Sequence, residues 1–141
     1  TAVCGGPRLA YVLALGADRA IDYAEEDFTR GADTYDVVFD VLGRAPVSRV
    51  RRVLEPRGVH LCASFKTRHL VAMARTSLAR GRRVVCALAP GRLEDLLTVR
   101  ELAEAGAVRA IVDRRFPMDE AAEAVRYLES GRAEGKVVLV M

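Results

Sequence analysis

The chain has 141 residues, 51% of them hydrophobic and 29% charged, with a formal net charge of +3. That is enough for one domain with a proper core, and too apolar for a disordered chain. No apolar run approaches the roughly 18 residues of a membrane span, and the N-terminus lacks the basic region and cleavage site of a signal peptide, so the expected setting is the cytoplasm with no membrane partner.

Short apolar runs alternate with amphipathic segments, the pattern of a doubly wound α/β domain with a parallel sheet. Thr1 to Cys4 reads as a strand; it opens the chain without a starting Met, and the chain is expected to be cut from something longer. Gly5-Gly6-Pro7 opens a helix with Pro7 in its first turn, Leu9, Val12 and Leu13 as its buried stripe, and Gly16 as its stop. Ala20 to Asp22 is a short strand, Glu25 to Phe28 one helical turn, and Gly31 to Thr34 a loop. Tyr35 to Asp40 is a near-continuous apolar strand, as expected when helices cover both faces. A helix starts at Pro46, turns Val47, Val50 and Leu54 inward and Arg49 and Arg52 outward, and ends at Pro56 and Gly58.

Val59 to Ser64 is the next strand, Arg68 to Arg80 a helix closed by Gly81, and Arg83 to Ala89 a strand before the Pro90-Gly91 turn. Leu93 to Ala105 is the strongest helix, with Leu93, Leu96, Leu97 and Leu102 as its apolar set and Gly106 as its stop. Val108 to Asp113 is a short strand, and Arg114-Arg115-Phe116-Pro117 a turn marking a boundary between sub-parts. Asp119 and Glu120 complement the dipole in the first turn of a helix that runs to Glu129 and is ended by Gly131. Lys136 to Met141 is the last strand.

Arg75, Arg80, Arg82 and Arg83 are the densest basic cluster. No aromatic or polar base reader is interleaved, so they read as solvated charge and helix-end cations, and no nucleic-acid partner is expected. Cys4, Cys62 and Cys86 are far apart in strand-like settings and read as buried, reduced thiols. His60 and His69 have no carboxylate at metal-ligand spacing, and no metal is expected.

The glycine fingerprint G-x-G-x-x-G is absent. Gly131 to Val137 superficially looks like a phosphate loop but is one residue short, has Val137 where a hydroxyl must hold magnesium, and precedes a strand. At the end of the first strand, Cys4-Gly5-Gly6-Pro7-Arg8, no carboxylate is near in sequence to bind a ribose 2′-OH. Arg8 there favours the 2′-phosphate of NADP(H) over NAD(H), unless it is simply an exposed helix residue. Tyr23 follows a strand end; its ring is suited to an adenosine, or equally to covering the rim of the core. Asp40 ends a strand before Val41-Leu42-Gly43, where this architecture binds ligands, or else it caps a turn. No G-x-S-x-G occurs, the serines lack His and acid partners, and no catalytic side chain is assigned.

Five ordered segments carry a resemblance: Leu-Gly-Ala-Asp-Arg-Ala-Ile-Asp-Tyr (15–23), Tyr-Asp-Val-Val-Phe-Asp-Val-Leu-Gly (35–43), Arg-Val-Leu-Glu-Pro-Arg-Gly (52–58), Glu-Ala-Gly-Ala-Val-Arg-Ala-Ile-Val-Asp-Arg-Arg-Phe-Pro (104–117) and Gly-Arg-Ala-Glu-Gly-Lys-Val-Val-Leu (131–139). Together they resemble the C-terminal half of medium-chain dehydrogenase/reductases, in the zinc-independent quinone oxidoreductase-like branch. The resemblance implies a Rossmann-type parallel sheet lacking its first strand and glycine loop over 1–107, with 108–141 a strand–helix–strand return to a missing catalytic domain. The missing strand would lie between Thr1–Cys4 and Val37–Asp40, so its absence splits the sheet. It implies hydride transfer from NADPH, with NADH the lesser alternative and no zinc, to a quinone, enone or related carbonyl compound. By position, Arg8 and Tyr23 would lie near the adenosine 2′-phosphate, Val41, Leu42 and Gly43 along the nicotinamide-side ribose, and Ala63 and Ser64 beside the nicotinamide. Arg132 and Lys136 would approach from the tail, and the edge strand Arg83–Ala89 would form a homodimer. Gly5-Gly6-Pro7, Arg57 and Cys62-Ala63-Ser64 depart from the usual pattern. The chain alone is expected to be inactive and poorly stable.

Two other readings compete. The 35–40 and 52–58 segments also resemble class I S-adenosylmethionine-dependent methyltransferases, which leaves 104–117 and 131–139 unexplained. A non-enzymatic nucleotide-fold module that dimerises through its exposed edge is the third.

Overall fold

Five parallel strands form in the first 90 residues, but not as one sheet. In the computed structural model, which describes residues 1–88 and 90–141, β1 (Ala2–Cys4) pairs only with β2 (Ala20–Asp22). The other three, β3 (Tyr35–Asp40), β4 (Leu54–Cys62) and β5 (Arg83–Cys86), pair in that order. β1 is therefore not a central strand, and among the described residues no strand bridges β1 to β3, the split expected from the missing-strand reading. The chain divides into two units, Thr1–Pro90 and Gly91–Met141.

In the first unit a 3₁₀ turn over Gly6–Arg8 leads into α1 (Leu9–Ala14), and the chain reverses at Gly16, whose φ of 104° suits a residue without Cβ. The helical turn expected at Glu25 forms later, as a 3₁₀ turn over Phe28–Arg30, because Asp27 caps it by accepting from the Thr29 N–H at 3.0 Å. α2 (Val47–Val50) is a single turn rather than the longer helix expected to Pro56. Val50 and Leu54 do face inward, but Leu54 belongs to β4 and lies opposite Tyr35. The register then shifts so that Val37 lies opposite Val59. Pro56 and Gly58, expected as helix terminators, instead mark this irregularity: Pro56 has no N–H to contribute to a ladder, and a Cβ on Gly58 would sit 2.9 Å from the Tyr35 carbonyl oxygen.

α3 (Thr67–Ser77) packs along β5. Val38, Asp40, His60, Cys62 and Val84 share the sheet face beneath α2 and α3, where the buried core of the unit lies. The opposite face does not meet the expectation that helices cover both sides of β3: Val37 and Phe39 are 56% and 60% exposed. The strand expected over Arg83 to Ala89 ends, as β5, at Cys86; Ala89 lies outside the described residues.

The second unit holds α4 (Leu93–Glu104), β6 (Val112–Pro117), a 3₁₀ turn over Met118–Glu120, α5 (Ala121–Glu129) and β7 (Lys136–Val140). Gly106 and Gly131 end α4 and α5 as expected. Leu93, Leu96, Leu97 and Leu102 of α4 are all exposed. Arg114 to Phe116, expected as a turn, are strand residues, with β6 pairing in parallel with β7. The cause is α5. Arg114 and Phe116, two apart, face the same side: the Arg114 guanidinium lies 4.4 Å from the Tyr127 ring centre, and the Phe116 ring centre is 6.1 Å away. Burying Phe116 there fixes the register, and the strand runs four residues later than the apolar run 108–113 suggested.

Candidate cofactor cleft

The C-terminal ends of β3 and β4 carry the best-organised loop of the first unit, and Asp40 organises it. One carboxylate oxygen, Oδ1, accepts from the Gly43 N–H at 2.8 Å and the Arg44 N–H at 3.4 Å, while Oδ2 accepts from the Ala45 N–H at 3.0 Å. Asp40 is thus the cap of the turn, the second of its two sequence readings. That role leaves Val41 and Leu42 projecting, 54% and 65% exposed.

Gly43 has a φ of 62°, and a Cβ there would lie 2.2 Å from the Ser64 carbonyl oxygen. The loop is pressed onto the backbone after β4, which brings together two candidate segments twenty residues apart in sequence, Val41–Gly43 and Ala63–Ser64. Two further bonds hold the junction: the Ala63 N–H donates to the Asp40 carbonyl at 3.1 Å, and an Arg68 guanidinium Nη2 donates to the Gly43 carbonyl at 3.1 Å.

A cleft of about 540 Å³ opens beside this loop, lined by Val3 and Tyr23 from the β1–β2 side and by Val41 and Leu42 from the β3 side. It lies between the two halves of the split sheet, where the missing strand was expected. Its remaining wall was missed in the sequence. Asp27 accepts from the Thr29 Oγ1–H at 2.6 Å and from an Arg49 Nη1 at 3.3 Å, tying the 3₁₀ turn to α2. These bonds, that to Thr29 first, hold the Asp27 carboxyl below the usual aspartate range. The residue type at 27, an Asx two before Thr29, was the available signal.

Tyr23 is 69% exposed, with its phenol over Gly5, the hydroxyl oxygen 3.3 Å and the nearest ring carbon 3.7 Å from where a Cβ would be. Arg8 ends the 3₁₀ turn after β1 and is exposed. Sequence reasoning held that no carboxylate is near this strand end, and the structure corrects it. Cys4 pairs with Asp22, so the Asp22 carboxylate reaches Gly6, with Oδ2 2.6 Å from where a Cβ would lie. An acid thus sits beside the Gly5-Gly6-Pro7 turn, supplied by the neighbouring strand. Arg132 and Lys136 lie in the second unit; Arg132 Nε donates to Ser130 Oγ at 3.1 Å, and Lys136 opens β7.

No titrating nucleophile emerges. Burial, reinforced by Cys86 alongside, pushes the Cys62 thiol up to about 11, so it stays protonated near neutral pH. His60, 1% exposed, has its pKa lowered by burial against the opposing pull of Asp40, whose Oδ2 lies 3.7 Å from Nε2. Among the described residues, no cluster of His, Cys, Asp or Glu could hold a metal, and no helix is long and apolar enough to cross a membrane. The three cysteines are free.

The cleft can therefore bind and orient a ligand. The zinc-binding dehydrogenase family model matches residues 15–139. The chain is 34% identical over 134 residues to the chloroplastic NADPH-dependent alkenal/one oxidoreductase of Arabidopsis thaliana, and 31% identical over 134 residues to the 2-methylene-furan-3-one reductase of Solanum lycopersicum. Each match covers 94% of this chain and 31% of the relative. The solved quinone oxidoreductase of Coxiella burnetii is 27% identical and superposes with a TM-score of 0.70 over 99% of this chain and 44% of that one. The chain thus spans about a third of the length of these plant relatives.

Proposed function

Since the chain belongs to the zinc-binding dehydrogenase family, we propose that it forms one side of a nicotinamide-cofactor site in an NADPH-dependent reductase of quinones, enones or related carbonyl compounds. The observation that carries this is the Asp40-capped loop Val41–Gly43, pressed onto Ser64 at the C-terminal ends of two adjacent parallel strands, where doubly wound sheets hold their ligands. The fit is geometric: a cleft of about 540 Å³ with exposed apolar and aromatic walls suits part of a dinucleotide. The names of the relatives support NADPH and an activated carbonyl substrate.

When bound, the cofactor supplies the hydride. The residues of this chain orient it. Val41, Leu42 and Gly43 would line the nicotinamide-side ribose, and Ala63 and Ser64 would border the ring. Tyr23 would meet the adenosine, with Arg8 near the 2′-phosphate, while Asp22 beside Gly6 would oppose a second negative charge there. The free thiols suit a reducing cytoplasm.

The chain contains no Trp, so nicotinamide fluorescence can be titrated without tryptophan background. NADPH is expected to bind saturably and NADH about tenfold more weakly, with Leu42→Asp abolishing binding and no enone reduction by this chain alone. Tighter binding of NADH would assign the strand end to Asp22 and a free ribose. Binding of S-adenosylmethionine in place of either nucleotide would transfer the site to the methyltransferase reading.

The same reading includes a homodimer through β5, which closes its sheet with one edge unpaired. Sedimentation is expected to show a dimer that Val85→Pro converts to monomer; a variant that sediments like the parent would remove this edge as the interface.

A further inference from the structure

The basic cluster read as solvated charge is one side of a larger assembly. A groove of about 700 Å³ lies on the α2–α3 side of β3–β4–β5, and six arginines line it: Arg44, Arg51, Arg68, Arg75, Arg82 and Arg83. They come from the loop after β3, the end of α2, two turns of α3 and the start of β5, so only the fold gathers them. Among the described residues no carboxylate lines the groove. Among the described residues none of the six forms an ion pair with Asp or Glu. Their number exceeds the net charge of the whole chain, +3, so the rest of the molecule is net acidic while this concavity is strongly basic.

Like charges gathered around one groove repel each other, and a bound anion relieves that repulsion. Two of the guanidiniums are anchored by the backbone. Arg68 donates to the Gly43 carbonyl at 3.1 Å, and Arg82 Nε donates to the Leu54 carbonyl at 2.6 Å. Each has further N–H groups for an outside acceptor, and a held planar fork loses little freedom on meeting a phosphate. The floor is apolar, made by Leu54 and Val84 together with His60. Both His60 ring nitrogens are buried and lack a hydrogen-bond partner.

We infer that this groove binds a compact organic polyphosphate, its phosphates on the arginine rim and its less polar part on the Leu54–Val84 floor. A nucleic-acid duplex fits less well, because the arginines surround a pocket rather than follow a stripe, and no aromatic or base-reading side chain is interleaved. Arg44 lines both this groove and the cleft beside Tyr23, whereas Arg51 and Arg75 line the groove and not the cleft, so they separate the two sites.

Isothermal titration of the full chain with inorganic tripolyphosphate and with ATP, in about 0.15 M salt, tests it. Both are expected to bind, ATP the tighter. The double variant Arg51→Glu/Arg75→Glu is expected to weaken both by about tenfold or more, while Arg109→Glu/Arg126→Glu, an equal charge change in the second unit, leaves them within about twofold. Three results would overturn the inference: absence of binding by either probe, equal weakening by the two double variants, or binding of a DNA duplex without binding of either polyphosphate.

Discussion

Gly43→Ala is expected to destabilise the first unit by about 3 kcal/mol or more and to eliminate NADPH binding. The added methyl would meet the Ser64 carbonyl oxygen at 2.2 Å and its carbon at 2.9 Å. Both are backbone atoms held by the strand end, so neither can rotate aside as a flexible side chain would. The φ of 62° adds the ordinary cost of left-handed backbone for a residue with a Cβ. Gly16→Ala provides the internal comparison. Its φ is 104°, but nothing lies within 4 Å of the new methyl, so it should cost about 1–2 kcal/mol from backbone alone. Urea unfolding followed by circular dichroism separates the two. Equal losses at Gly43 and Gly16 would mean that the loop is not pressed onto Ser64 in solution.

Asp40→Ala is expected to cost about 2–4 kcal/mol, since it leaves the Gly43 and Ala45 N–H groups without their part-buried acceptors. Asp40→Asn should cost less, because its carbonyl oxygen can still accept one of these bonds while its amide opposes the other. Amide exchange gives the local readout: Gly43 and Ala45 should both lose protection in Asp40→Ala and one of the two in Asp40→Asn, with the β4–β5 amides little affected in Asp40→Asn. Unchanged protection of Gly43 in Asp40→Ala would remove Asp40 as the organiser of the cleft. These two substitutions also address the cofactor reading, because the loop they disturb projects Val41 and Leu42 into the cleft.

The elements of this fold were legible where periodicity and punctuation agreed. Gly16, Gly106 and Gly131 ended helices as read, and β3 was correct in both bounds because a continuous apolar run between a loop and a glycine admits little else. The readings failed where local grammar was overridden by packing. Pro56 and Gly58 look like a helix stop, yet they sit in a strand irregularity set by the pairing of Tyr35 with Leu54. Arg114 to Pro117 look like a turn, yet Tyr127 on α5 draws Arg114 and Phe116 to one side and makes a strand of them. The continuous apolar character of β3 predicted two covered faces; the structure covers one.

By itself the sequence determined the order of strands and helices, the parallel α/β class and the loop Val41–Gly43 after β3, which follow from side-chain periodicity and turn chemistry acting between near neighbours. The interruption between β1 and β3 was expected from the family resemblance alone. What lies next to what across strands was decided by the tertiary structure. It set Asp22 beside Gly6, where the sequence showed no acid. It brought Gly43 to Ser64 and gave Asp40 its role as a cap. It also joined Arg44, Arg51 and Arg68 to the cluster at 75–83 around one groove. The physical reason is common to all of them. A parallel sheet places residues about twenty positions apart within contact distance, and strand pairing and helix packing fix that register, not the local sequence.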